Sequence, residues 1–172
     1  AHWRSTGVTR KPLAQAGTPD ILVQSVTVEP STVGLNEPLT ITAVISNAGD
    51  ADVLTNFWTG LYEDAMPMSC LVCNNSLGCQ NTTSLAAGIS TTVVFTLSGL
   101  QRPGPNTFYV QADTYCVVFD DGDLANNTVG PVTATVRYLT VTHTTPAGNG
   151  RPIERSASIS ASFSTAIDAG TI

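Results

Sequence analysis

The sequence has few charged residues and few of the residues that favour helices. Only 12% of its 172 residues are charged, and it contains one Lys, four Glu and two Met. It contains 25 Thr and 14 Ser, which lose side-chain freedom in a helix or compete for its backbone hydrogen bonds. Thr, Val and Ile instead suit the pleated surface of a sheet. The composition therefore predicts an all-β protein of one or two domains.

Positive charge is scarce as well. Seven Lys and Arg stand against thirteen Asp and Glu, which gives a net charge of −6. Such a surface repels nucleic-acid phosphates and anionic lipid headgroups, so neither is expected as a partner. The longest uncharged stretch, 65–101, is rich in Asn, Ser, Thr, Cys and Gly, and a segment of that composition does not span a bilayer.

Four cysteines could hold zinc or form disulfides. The C-x2-C spacing offers thiolates, but the second C-x2-C or His pair that usually completes a zinc site is missing. Two disulfides in an oxidising compartment are therefore the preferred interpretation. Of the three pairings that four cysteines allow, we favour a long bridge that ties an insertion back to the sheet, together with a short loop. These bridges are Cys70–Cys116 and Cys73–Cys79.

Other features fit an extracellular location, either secreted or at the cell surface. N-x-[ST] sequons begin at Asn74, Asn81 and Asn126, although an Asn- and Thr-rich chain also produces sequons by chance. The sequence starts at Ala1 with neither Met nor an apolar leader, as a secreted protein does after cleavage and as a trimmed chain also does.

Signatures of catalytic sites are missing from the sequence. It contains no G-x-S-x-G elbow, no H-E-x-x-H and no phosphate-binding loop. His2 and His143 are isolated, and His143 lies on the apolar phase of a predicted strand. Cysteine catalysis would need a free thiol, whereas the cysteines are predicted to be paired. We therefore expect a non-enzymatic protein without a cofactor, calcium being the one exception considered below.

Alternating apolar and polar residues predict six strands in the first 136 residues. The predicted strands cover 20–29, 39–46, 53–63, 89–97, 108–112 and 129–136. Gly and Pro at 99–105 are interpreted as strand breakers, and 64–84 as an irregular insertion that contains three cysteines. Short strands at regular spacing with turn signals between them are typical of an antiparallel β-sandwich.

The phase of the alternation then slips by one residue. Val132, Ala134 and Val136 occupy even positions, whereas Leu139, Val141 and His143 occupy odd ones. Because such a slip sends side chains to the opposite face of a strand, we place a domain boundary at 137–138. The predicted organisation is an N-terminal arm or linker at 1–17, a sandwich at 18–137 and a partial second β-sandwich at 138–172.

The second unit contains a candidate assembly strand. Residues 157–164 alternate strictly, with four serines on one face and Ala157, Ile159, Ala161 and Phe163 on the other. Two strands do not bury a core of their own, because an isolated hairpin is marginal in water. We therefore expect either that the unit is a fragment of a longer domain or that another polypeptide completes it.

Several stretches match a known family in order along about 115 residues. They include DILV at 20–23, EPLTIT at 37–42, SNAGDA at 46–51, GLYED at 60–64 and DDGDLANNT at 120–128. In these stretches the chain resembles the CARDB family (cell-adhesion-related domain found in bacteria), which implies an Ig-like sandwich with a role in adhesion or spacing. The cysteine-rich insertion departs from the usual family pattern. Through TPAG at 145–148 and ISASFSTAID at 159–168, the rest is similar to the start of a bacterial Ig-like module of S-layer-associated proteins.

An acidic loop is a candidate calcium site. Asp113, Asp120, Asp121 and Asp123 precede Asn126 and Asn127, and calcium takes six to eight oxygen ligands. The spacing is not that of an EF-hand, and Asp and Asn are also ordinary turn formers. We favour the turn interpretation and keep calcium as the alternative.

Aromatic residues could form a platform that stacks against sugars. The candidates are Trp58, Tyr62, Tyr109 and Tyr115. Aromatic residues on central strands more often belong to a core, which is the interpretation we favour. Trp58 and Tyr62 lie on the face opposite Phe57 and Leu61, so one of these pairs is predicted to face solvent or the insertion.

Together these features predict an extracellular structural or adhesive module. An exposed sheet edge can accept a strand from another chain, so self-association or neighbouring Ig-like domains could build a surface layer or a filament by strand complementation. The N-terminal arm is a candidate donor strand. The alternative is an accessory spacer or carbohydrate-binding module of a larger secreted enzyme, with surface glycans as ligands.

Overall fold

The chain folds into antiparallel sheets, as its composition predicts. The computed structural model describes residues 17–68, 70, 73, 76–147 and 154–164. The strands in these residues are β1 (Ile21–Glu29), β2 (Thr32–Val33), β3 (Leu39–Asn47), β4 (Phe57–Glu63), β5 (Gly78–Thr82), β6 (Ser90–Leu97), β7 (Gly104–Gln111), β8 (Thr128–Val136), β9 (Val141–Thr145) and β10 (Ser160–Phe163). A short 3-10 helix, Leu124–Asn126, precedes β8.

Two of the sheets form a sandwich. One has the strand order β1-β3-β6 and the other the order β2-β8-β7-β4-β5. In the described residues, β9 and β10 form a separate two-stranded sheet. Neighbouring strands are antiparallel except β2 and β8, which are parallel. The all-β, Ig-like sandwich predicted from the sequence is confirmed.

The core lies between the two sheets. In β3 every second residue from Leu39 to Asn47 is buried, as expected where one face of a strand covers a core. The five-stranded sheet meets this face with large side chains of its own, among them Phe57, Leu61 and Phe108, which are fully buried. Aligned sandwiches bury such alternating faces from both sheets.

A bulge in β1 lets the first strand keep its apolar side chains on the core. The pairing with β3 shifts register between Val23 and Ser25. Ile21 and Val23 are buried before the shift, and Val26 and Val28 pack against the core after it. The extra residue in β1 turns the apolar side chains after the bulge back toward the core, although they occupy the other phase of the sequence.

A buried asparagine organises the end of β3. The Asn47 Oδ1 atom accepts hydrogen bonds from the amides of Asp20 and Gly49, both at 3.1 Å. Its Nδ2 atom donates to the carbonyls of Ala51 at 2.8 Å and Leu85 at 3.0 Å. One side chain thus joins the entry to β1, the turn after β3 and the approach to β6.

Several strand boundaries differ from the prediction. β7 begins at Gly104 rather than at 108, even though Pro105 lies within it. Its pairing with β4 covers only Phe108 to Gln111, so at Pro105 it pairs only with β8. Proline is tolerated in such a position, because on that side the strand behaves as an edge. β4 in turn starts at Phe57 rather than at 53, although Val53 forms an isolated bridge with Leu85.

Two short strands were not predicted, and one is shorter than predicted. β5 lies inside the predicted irregular insertion and pairs with β4 along Phe57–Leu61. β2 has only two residues and continues the chain from the smaller to the larger sheet. β10 covers four residues rather than the eight at 157–164.

Candidate functional site

The cysteines are paired in two disulfides that anchor the insertion. Cys70 is joined to Cys116, with 5.1 Å between their Cα atoms, and Cys73 is joined to Cys79, with 6.1 Å. This is the connectivity favoured from the sequence, and it leaves no thiolate for zinc. The longer bridge holds the segment after β4 against the segment after β7.

A polar network lies beneath the anchored insertion. The hydroxyls of Tyr62 and Thr114 are hydrogen-bonded to each other, and that of Thr114 donates to Gln111 Oε1 at 3.1 Å. Gln111 Nε2 donates to the Met68 carbonyl at 3.4 Å, within the insertion. Burial raises the pKa of Tyr62, while its hydrogen bond to Thr114 acts in the opposite direction. Tyr62 is therefore buried, and this network links it through Thr114 and Gln111 to the Met68 carbonyl in the insertion.

Next to this network, two aromatic rings are open to solvent. Trp58 and Tyr115 have ring centroids 6.4 Å apart with a tilted arrangement. They are 38% and 41% exposed, respectively. The Thr114 amide donates to the Trp58 carbonyl at 3.0 Å, which fixes the segment that carries Tyr115 beside β4. Tyr109, the remaining candidate, is half-buried in β7.

The acidic residues at 113–123 do not come together as one site. Among the described residues, no three His, Cys, Asp or Glu side chains are grouped to hold a metal ion. The Asp113 carboxylate is buried and accepts the amides of Val117 at 3.0 Å and Val118 at 2.9 Å. It stabilises the turn after β7, which is the turn-former role favoured from the sequence.

Part of the acidic loop instead meets the start of β1. The Asp121 Oδ1 atom accepts the Ile21 amide at 3.2 Å, and the Gly122 amide donates to the Pro19 carbonyl at 2.8 Å. Asn126 Nδ2 donates to Asp20 Oδ1, and Asn127 Nδ2 donates to Asp121 Oδ2, both at 2.9 Å. We call Asp20, Asp121, Asn126 and Asn127 the acidic corner. Burial is the main cause that raises the pKa of Asp121, and the nearby Asp20 charge adds to it.

The hairpin formed by β9 and β10 is exposed along its whole length. Phe163 pairs with Val141 after a register shift that follows Ser162. The other members of the candidate assembly strand, Ala157, Ile159 and Ala161, are exposed too. His143 is likewise exposed in β9. The only strand that β10 pairs with in the described residues is β9.

The sandwich has an open side where both sheets end. β5 is the last strand of the larger sheet and β6 the last strand of the smaller one. A groove runs between them, lined by residues 80–84 and 91–94. On the opposite side, β1 ends the smaller sheet and β2 ends the larger one, and only Pro30 and Ser31 separate these two strands in the chain. Strand edges therefore lie on both sides of the sandwich, and on the open side they are those of β5 and β6.

A family model matches this sandwich. It is the model of CARDB, and it covers residues 18–130. The chain belongs to the CARDB family. This confirms the resemblance found in the sequence and makes the sandwich a member of a non-catalytic family of surface domains.

Solved CARDB domains and related structures resemble this fold. A domain of a protein assigned to the cell surface of Methanosarcina acetivorans is 30% identical, with a TM-score of 0.55, and the match covers 70% of this chain and 95% of that one. The CARDB domain of a Pyrococcus furiosus protein, crystallised with di-metal ions, is 16% identical with a TM-score of 0.53, over 70% and 90% of the chains. No protein of curated function matches the sequence.

None of the helices in the described residues is long and apolar enough to cross a membrane. Several predicted features fall outside the described residues: the sequon at Asn74, His2 and the candidate donor strand in the N-terminal arm.

The two remaining sequons differ in their surroundings. Asn81 is exposed on β5, and its Nδ2 atom donates a hydrogen bond to the Phe57 carbonyl at 3.3 Å. Asn126 is half-buried, and its Nδ2 atom, to which a glycan would be attached, is bound to Asp20.

The sequence did not identify Asp20 as a partner of the acidic loop, because Asp20 lies about 100 positions before that loop. The sequence feature that could have suggested this role is the position of Asp20 immediately before β1.

Proposed function

We propose that the chain is an extracellular, non-catalytic surface module that joins neighbouring copies by strand pairing. In this proposal residues 18–137 form the surface domain, and residues 138–172 contribute strands to a second Ig-like unit that a neighbouring chain completes. The two disulfides support an oxidising location, because such bonds persist in secreted and cell-surface proteins. The observation that carries the proposal is the exposed β9–β10 hairpin.

The hairpin leaves apolar side chains in water. Val141 and Phe163 face each other across the pair, and Tyr138, Leu139 and Ile159 lie in the adjoining segments, all exposed. A two-stranded hairpin is marginally stable in water unless more strands or a packed face support it. A neighbour that covers this face would stabilise the hairpin and remove the apolar surface from solvent.

The open side of the sandwich offers a matching edge. β6 is eight residues long, has an unpaired outer edge and exposes Val94 beside the groove. A strand edge of this kind is a template for a strand from another chain. If β10 of one copy pairs along β6 of the next, the contact is head to tail, and repeated contacts build an open filament.

Light scattering coupled to size-exclusion chromatography tests this proposal on the full chain. We expect the average mass to rise with protein concentration. Phe163→Asp in the hairpin and Val94→Asp on β6 should both hold the chain at the mass of a monomer. Leu35→Asp is the matched control, because Leu35 is also an exposed apolar residue but lies in the turn before β3. A monomeric wild-type chain at every concentration would overturn the proposal.

A second function, carbohydrate binding, is supported by the exposed Trp58–Tyr115 pair. Aromatic faces held at a fixed angle and open to solvent can stack against sugar rings, as in accessory modules of larger secreted enzymes. Binding to a glycan array should be lost in Trp58→Ala and kept in Tyr138→Ala, which removes an exposed aromatic ring from the hairpin segment. Equal binding by wild type and Trp58→Ala would exclude this function for the pair.

We also propose Asn81 as the sequon that carries a glycan. Its exposure on β5 supports this choice, because Asn126 is half-buried and its amide nitrogen makes the shorter hydrogen bond, 2.9 Å to Asp20 against 3.3 Å from Asn81 to the Phe57 carbonyl. After expression in a glycosylating host, intact-mass spectrometry should show a hexose-containing adduct that Asn81→Gln removes. An adduct that survives this substitution would assign the modification to another residue.

A further inference from the structure

The acidic corner brings two carboxylates and two side-chain amides together from distant parts of the chain. Asp20 stands before β1, whereas Asp121, Asn126 and Asn127 belong to the loop before β8. Backbone hydrogen bonds from Ile21 and Gly122 join the two segments, so their positions are fixed by the fold. Each amide nitrogen donates to one carboxylate, Asn126 to Asp20 and Asn127 to Asp121.

These contacts leave both amide oxygens without a donor. The Oδ1 atoms of Asn126 and Asn127 are buried and accept no hydrogen bond from the residues that the structure describes. Asn127 as a whole is only 5% exposed. Buried polar atoms are nearly always satisfied, so two such oxygens on adjacent residues that lack a donor indicate a missing partner. Turn formation accounts for the carboxylates of this loop, but it does not account for these two oxygens.

The charge of the corner points to the nature of that partner. Asp20 and Asp121 are brought to the same junction, because Asn126 and Asn127, which are adjacent in the chain, each donate to one of their carboxylates. In the described ranges the only salt bridge joins Arg102 to Asp64, so no Lys or Arg side chain neutralises the corner. A hydrogen-bond donor such as water would satisfy the amide oxygens but would leave the two negative charges uncompensated. A cation satisfies both.

We propose that the acidic corner binds a divalent cation that prefers oxygen ligands, namely Ca²⁺. Asp20 and Asp121 supply carboxylate oxygens, Asn126 and Asn127 supply their amide oxygens, and water completes the six to eight ligands that Ca²⁺ takes. Bound Ca²⁺ fastens the loop before β8 to the start of β1. This set differs from the one predicted from the sequence. Asp113 and Asp123 accept backbone amides in their own turns, Asp120 is exposed, and Asp20 takes part instead.

Calcium titration of the full chain after treatment with EDTA is the first test. Isothermal titration calorimetry with CaCl2 should give a single site with a Kd on the order of 10⁻⁴ to 10⁻³ M, as for extracellular calcium modules. The same additions should raise the melting temperature by a few degrees, because a ligand of the folded state stabilises it. MgCl2 should be weaker, since Mg²⁺ gives up its water reluctantly. No heat and an unchanged melting temperature in CaCl2 would overturn the proposal.

A matched pair of variants then tests the assignment. Asp121→Asn removes a carboxylate from the corner and should weaken Ca²⁺ binding about tenfold or more, because ligand charge sets the affinity of such sites. Asp120→Asn removes the same charge from the same loop at an exposed position, where screening by salt limits its effect to about threefold or less. Equal weakening by both variants would mean that Ca²⁺ responds only to net charge, which would contradict the assigned site.

Asn127→Asp separates a metal ligand from a purely structural residue. In EDTA the variant should melt at a lower temperature than wild type, because it places a third carboxylate beside Asp121. CaCl2 should then raise its melting temperature more than that of wild type, because the added charge strengthens the site. If CaCl2 leaves the loss in Asn127→Asp unrepaired, Asn127 is not a ligand and the proposal fails for this residue set.

Discussion

Cys70 is bonded to Cys116, and this disulfide fixes the insertion to the segment that follows β7. Cys116 directly follows Tyr115, whose ring lies beside Trp58, so the bridge also anchors the segment that carries this exposed aromatic pair. The bridge thus joins Cys70, which follows β4, to the segment after β7 on the larger sheet. The stability of this region should therefore depend strongly on the disulfide.

The two disulfides should contribute unequally to stability. Cys70 and Cys116 are 46 residues apart and Cys73 and Cys79 only 6. A model based on chain entropy gives losses of about 4 kcal/mol and about 2 kcal/mol when each bridge is removed. Urea denaturation of the two paired Cys→Ser variants, without reductant, measures these losses. A larger loss for the Cys73–Cys79 pair would contradict the role given to the longer bridge.

Replacement of Asn47 by Ala should destabilise the sandwich by about 2 to 4 kcal/mol, because it removes four hydrogen bonds around a buried position. The free energy of unfolding, measured in urea, checks this value. Asn56→Ala is the control, since Asn56 is exposed, and it should change stability by no more than about 0.5 kcal/mol. Similar losses for both variants would show that Asn47 is not a central support of the fold.

The stability of the domain should fall in alkaline solution through Tyr62. Its pKa is raised in the folded state, chiefly by burial. The contribution of Tyr62 to the free energy of unfolding is therefore fully present below the ordinary tyrosine pKa of about 10. It is lost as the pH rises toward the pKa of Tyr62 in the folded state, because this tyrosine ionises first in the unfolded chain. Urea denaturation between about pH 8 and 11 should show a smaller alkaline loss in Tyr62→Phe than in wild type.

Tyr138→Phe is the control for this titration, because Tyr138 is exposed and should leave the alkaline loss as it is in wild type. If Tyr62→Phe and wild type lose stability in parallel over the same pH range, the alkaline loss comes from other groups.

The alternation of apolar residues predicted most of the strands. It did not show whether a shift in that alternation marks a bulge within one strand or the end of the sandwich. Between Val23 and Val26 the phase changes because β1 contains a bulge, and the strand continues in the same sheet. Between Val136 and Leu139 a similar change separates the sandwich from β9. Both shifts look alike in the sequence, because periodicity records which side chains face inward and not what they face.

The candidate site was less accessible from the sequence than the fold. Local spacing identified Asp121, Asn126 and Asn127, but Asp20 reaches them only through pairing across about 100 residues of chain. Asp113 matched the acidic pattern, yet its carboxylate is buried in the turn after β7, where it accepts the Val117 and Val118 amides and does not meet Asp20. Composition shows how many oxygens a loop carries, whereas the folded backbone decides which of them remain available.

Hydrogen–deuterium exchange of the β10 amides at increasing protein concentration tests strand pairing between chains most directly. The account predicts that amides in Ser160–Phe163 become slower to exchange as concentration rises, together with those on the outer edge of β6, while amides in β3 exchange at a constant rate. Rapid exchange in β10 and β6 at every concentration would contradict it, because edges paired with a neighbouring chain must protect their backbone hydrogens.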